Sequence, residues 1–228
     1  MTSSEPSSAS GEGPTPIVIL ISGRGSNMRA IADQAFAGKL PVTIRAVVSD
    51  KADAGGLEIA RSLGIETRSV SPKSFPSREA YDEALANLVA SFEPALIVLA
   101  GFMRILTSRF IDRFPGRILN IHPSLLPKYR GLHTHQRCLE AGDCDHGVSV
   151  HFVTQELDGG PVIIQACVSV RADDSVDSLS ARVQQQEHTI YPQAIEWFAR
   201  GRLKLDNGQA HLDGKPLVAP VVIDARGT

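Results

Sequence analysis

The sequence is poor in the features that would mark a secreted protein, a membrane protein or a nucleic-acid binder. Its three cysteines, Cys138, Cys144 and Cys167, show neither a Cys-x-x-Cys spacing nor the density of a disulfide scaffold, so they read as reduced thiols in a cytoplasmic protein. No dense Lys/Arg run occurs, and 23 basic against 25 acidic residues give a net charge of -2. The basic footprint of a nucleic-acid or anionic-membrane partner is therefore missing. Met1 to Pro16 is rich in Ser, Pro, Gly and Glu and lacks a charged segment followed by an apolar core, so a disordered tail is expected there, not a leader or an anchor. His122, His133, His135, His146 and His151 offer no i, i+4 pair on a predicted helix and have no cysteine pair beside them, so no metal site is expected. A small-molecule partner fits this composition best.

What is present is 228 residues with 43% hydrophobic content, enough for one well-buried domain and too little for two large ones. Residues 16–212 are the expected domain, with tails at 1–15 and 213–228. Pro16 to Ile21 is a β-branched run of the kind buried on both faces of a parallel sheet. A glycine-rich turn, Ser22-Gly23-Arg24-Gly25-Ser26-Asn27, follows, and helical spacing then continues to Gly38. Such a strand-turn-helix lets backbone N–H groups approach an anion, and the helix terminus adds partial positive charge, so a phosphate is the natural guest. The third glycine of a dinucleotide fingerprint is absent, and so is the lysine of an NTP loop. The alternative reading is a plain tight turn with Ser26 or Asn27 as the helix cap.

Strand patterns at Val42–Val48 and 66–70, with a helix at 56–63 between them, continue the β-α-β alternation. Ser77 opens another helix striped by Tyr81, Leu85, Leu88 and Val89, and Arg78 stands unfavourably for the dipole at its start, which hints at service to a partner. A second buried strand, Ala95 to Ala100, runs into Gly101-Phe102-Met103-Arg104-Ile105-Leu106, oddly apolar for a loop. Ligands of open α/β sheets bind beyond the carboxyl ends of the strands, so this loop could wall a pocket for a flat aromatic molecule, or simply pack in the core. In the C-terminal half, residues 147–154 alternate like a half-exposed strand, Val162 to Val170 forms another, a long helix spans Ser175 to Arg200, and a hairpin follows at 202–212. The fold expected is α/β: a Rossmann-like, mostly parallel twisted sheet with flanking helices, and antiparallel strands in the C-terminal half.

The chemistry centres on Arg117 to Pro127. Side chains alternate along a strand, so Asn120 and His122 share one face while Leu119 and Ile121 pack into the opposite layer. Asp158 lies 36 residues beyond His122, on the turn Asp158-Gly159-Gly160-Pro161, whose glycines can take positive φ. Together they offer an acid, its orienting carboxylate and an oxyanion donor. No serine or cysteine is placed as a nucleophile, which leaves that part to the substrate.

The turn at 22–27, the run Ala100 to Leu106, the motif Asn120-Ile121-His122-Pro123-Ser124-Leu125-Leu126-Pro127 and Leu157-Asp158-Gly159-Gly160-Pro161 resemble the phosphoribosylglycinamide formyltransferases, within the folate-dependent formyltransferase group. The resemblance runs from about Pro16 to Leu212. It implies a transferase of de novo purine biosynthesis that moves a formyl group from 10-formyltetrahydrofolate to the amine of glycinamide ribonucleotide. It also implies site roles: His122 as general acid, Asn120 as oxyanion donor and folate contact, and Asp158 as the group that keeps His122 protonated. Gly25, Ser26 and Asn27 would take the phosphate, Glu187 the substrate amine, and Arg78 with Met103, Arg104, Ile105 and Leu106 the folate. Arg24 and Gln155 depart from the pattern, at places where relatives often carry a small or amide residue and an acid. A deformylase using the same three residues usually carries an added N-terminal regulatory domain, and a methionyl-tRNA formyltransferase carries a C-terminal RNA-binding domain and a basic face. A non-enzymatic ligand-binding module would have no need of Asn120, His122 and Asp158 together.

Overall fold

The computed structural model describes residues 13–227, so the tail expected at 1–15 lies outside it except for its last three residues. Five parallel strands come first: β1 (Thr15–Ile21), β2 (Val42–Ser49), β3 (Thr67–Ser69), β4 (Leu96–Leu99) and β5 (Ile118–His122). They are linked by α1 (Ser26–Phe36), α2 (Gly55–Ser62), α3 (Arg78–Ala90) and the short α4 (Ser108–Ile111). Then α5 (Thr134–Ala141) leads into β6 (Asp145–Phe152) and β7 (Val162–Ser169), which run antiparallel as β5-β6-β7. The long α6 (Val176–Ala199) begins at the predicted Ser175, whose side chain forms a reciprocal capping box with Ser178.

The main sheet has the order β11-β7-β6-β5-β4-β1-β2-β3, where β11 is Val221–Asp224. β1 is buried on both faces because it has helices on both sides. Ile17, Ile19 and Ile21 pack with Met28 and Ile31 of α1, Leu57 of α2 and Tyr191 of α6, whereas Val18 and Leu20 meet Tyr81 and Leu85 of α3 and Phe110 of α4. Each such side chain stabilises the fold by roughly 2 kcal/mol relative to exposure. The order reverses at β1, which pairs with β2 on one side and β4 on the other. In open α/β sheets the crevice beyond the carboxyl ends at such a switch point is where ligands bind, and here the turn after β1 and the loop after β4 emerge together there. Tyr191 of α6 shares its one hydroxyl proton between the carbonyls of Leu99 and Leu119, both 3.0 Å away, and so fixes α6 against β4 and β5.

Two expectations are corrected. β6 alternates in sequence but is not half-exposed: His146 through Phe152 are all buried, because β6 lies in the sheet interior between β5 and β7. Its polar positions are paired instead of solvated. Ser149 donates to the Ser124 carbonyl at 2.6 Å and accepts from the Leu126 N–H and from Gln165, which is how a hydroxyl survives there. The stretch expected as a tail at 213–228 is also partly sheet. β8 (Leu203–Asp206), β9 (Gln209–Leu212) and β10 (Lys215–Pro216) form a small antiparallel sheet, and β11 then pairs in parallel with β7.

Candidate active site

The turn after β1 is built by close backbone approach. Gly25 sits at φ 78°, and a Cβ on it would lie 2.7 Å from the Cα of Gly56, which itself donates its N–H to the Gly23 carbonyl. Only glycine satisfies both the angle and the space. Gly25 occupies the N-cap of α1, and no side chain caps that helix. Ser26 and Asn27 are turned elsewhere: Gln184 donates to the Ser26 hydroxyl at 3.1 Å, and the Asn27 amide donates to a Glu187 carboxylate oxygen at 2.6 Å. The plain-cap reading of this turn therefore fails. The first turn of a helix leaves N–H groups without intrahelical partners, and in α1 no side chain caps them. Burial pushes the Glu187 carboxyl above the usual range, against the lowering effect of the Asn27 hydrogen bond.

The loop after β4 divides its apolar residues. Phe102 and Leu106 turn into the core at 8% and 6% exposure, whereas Met103 and Ile105 are 65% and 55% exposed. Core packing thus explains half of the loop's hydrophobicity and leaves two large side chains facing outward. Ser22 ties this loop to the turn after β1: its N–H donates to the Gly101 carbonyl and its hydroxyl accepts from the Met103 N–H at 2.9 Å. Arg78 lies against the loop and donates to the Ile105 carbonyl at 2.8 Å, and Arg104 stacks over Tyr81.

Beyond the end of β5, the expected trio assembles. His122 Nδ1 lies 3.5 Å from a carboxylate oxygen of Asp158, with both side chains at least nine-tenths buried. Its other nitrogen, Nε2, is 2.9 Å from the Tyr129 carbonyl, which can only accept, so Nε2 carries a proton. A second proton, when present, sits on Nδ1 facing the carboxylate. Asp158 is held in turn by the Gly131 N–H at 2.9 Å. Asp158 itself takes the left-handed backbone conformation, at φ 48°, whereas positive φ had been expected of the glycines after it. Asp tolerates this region better than most residues. Gly160 is needed for space instead, since a Cβ there would stand 1.9 Å from the Phe152 carbonyl oxygen.

Antiparallel pairing sets His151 of β6 directly opposite Asn120. His151 Nδ1 donates to the Phe152 carbonyl at 2.9 Å, so its Nε2 accepts from the Asn120 amide 3.1 Å away. Burial lowers the imidazole to about 4, which keeps it neutral and able to accept. The Asn120 carboxamide is thereby oriented with a second N–H to spare.

Residues 15–195 match the formyl transferase family. The chain is 59% identical over 201 residues to a phosphoribosylglycinamide formyltransferase of Escherichia coli K12, covering 88% of this chain and 95% of that one. The chain belongs to the formyl transferase family. A Haemophilus influenzae phosphoribosylglycinamide formyltransferase is 48% identical over the same shares of both chains. A solved Coxiella burnetii structure of that name superposes with a TM-score of 0.88 at 49% identity, covering 92% of this chain and 99% of that one. Within the formyl transferases, the chain thus groups with the phosphoribosylglycinamide formyltransferases.

Sequence reasoning missed three members of this site. His151 was weighed only as a metal ligand, although its period-2 spacing from Ser149 placed it on a polar face of β6. Gln184 lies one helical turn before Glu187 and shares its face of α6, a signal that was available. The Tyr129 contact runs through a backbone carbonyl, for which no residue type is diagnostic. The departure at Gln155 has a local reason, since its amide donates to the Asp112 carboxylate at 3.1 Å, where an acid would repel. Arg24 is exposed beside the turn.

Proposed function

We propose that this formyl transferase moves the formyl group of 10-formyltetrahydrofolate to the amine of glycinamide ribonucleotide, in purine biosynthesis, within a single domain in the cytoplasm. One observation carries the reading. A buried imidazole with Nε2–H committed to a carbonyl directs Nδ1 at a carboxylate, beside a carboxamide held by a neutral histidine. Such a set can protonate and stabilise an oxyanion but contains no nucleophile, so the amine must come from the substrate.

In this reading the amine attacks the formyl carbon, and the spare N–H of Asn120 together with His122 stabilises the oxyanion of the tetrahedral transition state. The bond from the formyl carbon to the folate nitrogen then breaks as His122, charged and facing Asp158, delivers its Nδ1 proton to that leaving nitrogen, and the proton shed by the attacking amine restores the imidazolium–Asp158 pair. The nucleotide phosphate would lie on the uncapped first turn of α1 at Gly25, Ser26 and Asn27, with Glu187 toward the amine. The folate would lie along Met103 to Leu106, where the two exposed apolar side chains suit a flat ring, and Arg78 would meet a carboxylate. Among the described residues no helix is long and apolar enough to cross a membrane, and Cys138, Cys144 and Cys167 are free thiols.

The test is a spectroscopic assay of folate product with and without glycinamide ribonucleotide. Product should accumulate only when the nucleotide is supplied. Equal rates without it would make the chain a deformylase and sink this reading.

A further inference from the structure

The first turns of α3 grip the loop after β4 through three side chains. Arg78 donates to the Ile105 carbonyl, the Arg104 guanidinium lies 5.3 Å from the centroid of the Tyr81 ring, and Asp82 accepts from the Thr107 N–H at 2.5 Å. Arg78, Tyr81 and Asp82 stand at i, i+3 and i+4 and so share one helix face. Asp82 is the member that packing alone would not select. The residue is 2% exposed, no Lys, Arg or His among the described residues pairs with it, and it bonds a single backbone N–H. Burying a carboxylate against one amide is costly, and an apolar residue would fill the space more cheaply.

What that contact fixes is the far end of the loop. Ser22 anchors the near end at Met103, and Asp82 anchors Thr107 just past Leu106. Between these two ties Phe102 and Leu106 turn inward, and Met103 and Ile105 turn outward. We propose that Asp82 is a positioning residue for folate: through the Thr107 N–H it sets the outward presentation of Met103 and Ile105 that the ligand packs on. Asp82 itself touches neither the turn after β1 nor Asn120, His122 or Asp158. The inference rests on the reading of Met103 to Leu106 as the folate wall.

The comparison that tests it is with Asp174, a second carboxylate with a buried side chain, which accepts from Arg182 and Ser178 at the start of α6, away from the loop after β4. In the full-length chain, Asp82→Ala and Asp174→Ala should both lower the melting temperature. Only Asp82→Ala should raise KM for 10-formyltetrahydrofolate, by about tenfold, the loss of one charge-assisted hydrogen bond's ordering effect. Its kcat at saturation and its KM for glycinamide ribonucleotide should stay at wild-type values. Asp82→Asn keeps an acceptor oxygen without the charge and should raise the folate KM about threefold. An unchanged folate KM in Asp82→Ala, or an equal rise in Asp174→Ala, overturns the proposal. If Asp82→Ala does not fold, Asp82→Asn decides alone, and a wild-type folate KM in it is the overturning result. A wild-type chain that turns over no folate with the nucleotide present overturns the functional reading and this one together.

Discussion

The two walls of the crevice are made in opposite ways. The turn after β1 is a backbone device: Gly25 and Gly56 approach until no Cβ fits between them, and Ser26 and Asn27 are locked to α6. The loop after β4 is a side-chain device, with Met103 and Ile105 held outward on a backbone clamped by Ser22, Arg78 and Asp82. Backbone N–H groups suit a phosphate, which asks for donors at fixed positions, whereas apolar side chains suit an aromatic ring, which asks for area. Between the walls stands the trio at the end of β5, which belongs to neither. Each part should therefore fail in its own kinetic parameter.

The largest effect is expected at the seam. Asp158→Asn keeps an acceptor for the Gly131 N–H but removes the charge facing His122, so kcat should fall by roughly a hundredfold or more with both KM values near wild type. Combined with Asn120→Ala, the loss should be far from additive, because both groups act on one transition state. Near-wild-type turnover in a folded Asp158→Asn chain would remove Asp158 from the chemistry.

Next comes the backbone wall. Gly25→Val strains a φ of 78° and drives a Cβ toward Gly56, so KM for glycinamide ribonucleotide should rise by at least about tenfold while KM for the folate holds. Steady-state runs with each substrate varied will separate the two, and a rise shared equally by both would erase the contrast between the walls. The side-chain wall should give a smaller and converse result. Ile105→Ser removes exposed apolar area, so it should leave the melting temperature unchanged and raise the folate KM about fivefold.

A further effect is on stability instead of turnover and is insensitive to either wall. His146 and His151 are lowered by burial from 6.5 to about 4. As pH falls from 6.5 toward 4, the unfolded chain takes up protons at these imidazoles and the folded chain does not, so stability is lost across that window. Thermal melts at pH 7 and pH 4.5 should show the drop, and His146→Asn should make it smaller, with His151 still contributing. A drop of equal size in His146→Asn would assign the loss to other groups.

The parallel half was readable because its strands are continuous apolar runs broken by glycine turns, and such runs have few alternatives. β1 and β5 with their following turns fall where the pattern puts them, and Asn120, His122 and Asp158 are found in one place. β6 was legible as a strand but not as a buried one. Ser149 and His151 look solvent-facing until their partners, Gln165 and Asn120, are brought beside them by pairing. β11 was invisible for a related reason: a four-residue strand acquires its identity only by adding to an existing edge, that of β7.

By itself the sequence determined the order of strands β1 to β7, the two glycine-dependent turns and the identity of the polar side chains that end β5, since these depend on local sterics and periodicity. Only the tertiary structure decided which of those side chains meet. Asn27 and Glu187 are 160 residues apart and become a 2.6 Å hydrogen bond because α6 packs across the end of the sheet. The proton positions on His122 and His151 were decided there too, by carbonyls of Tyr129 and Phe152 that no residue type announces. A backbone acceptor is the same at every position in a sequence, and only folding gives it a particular neighbour.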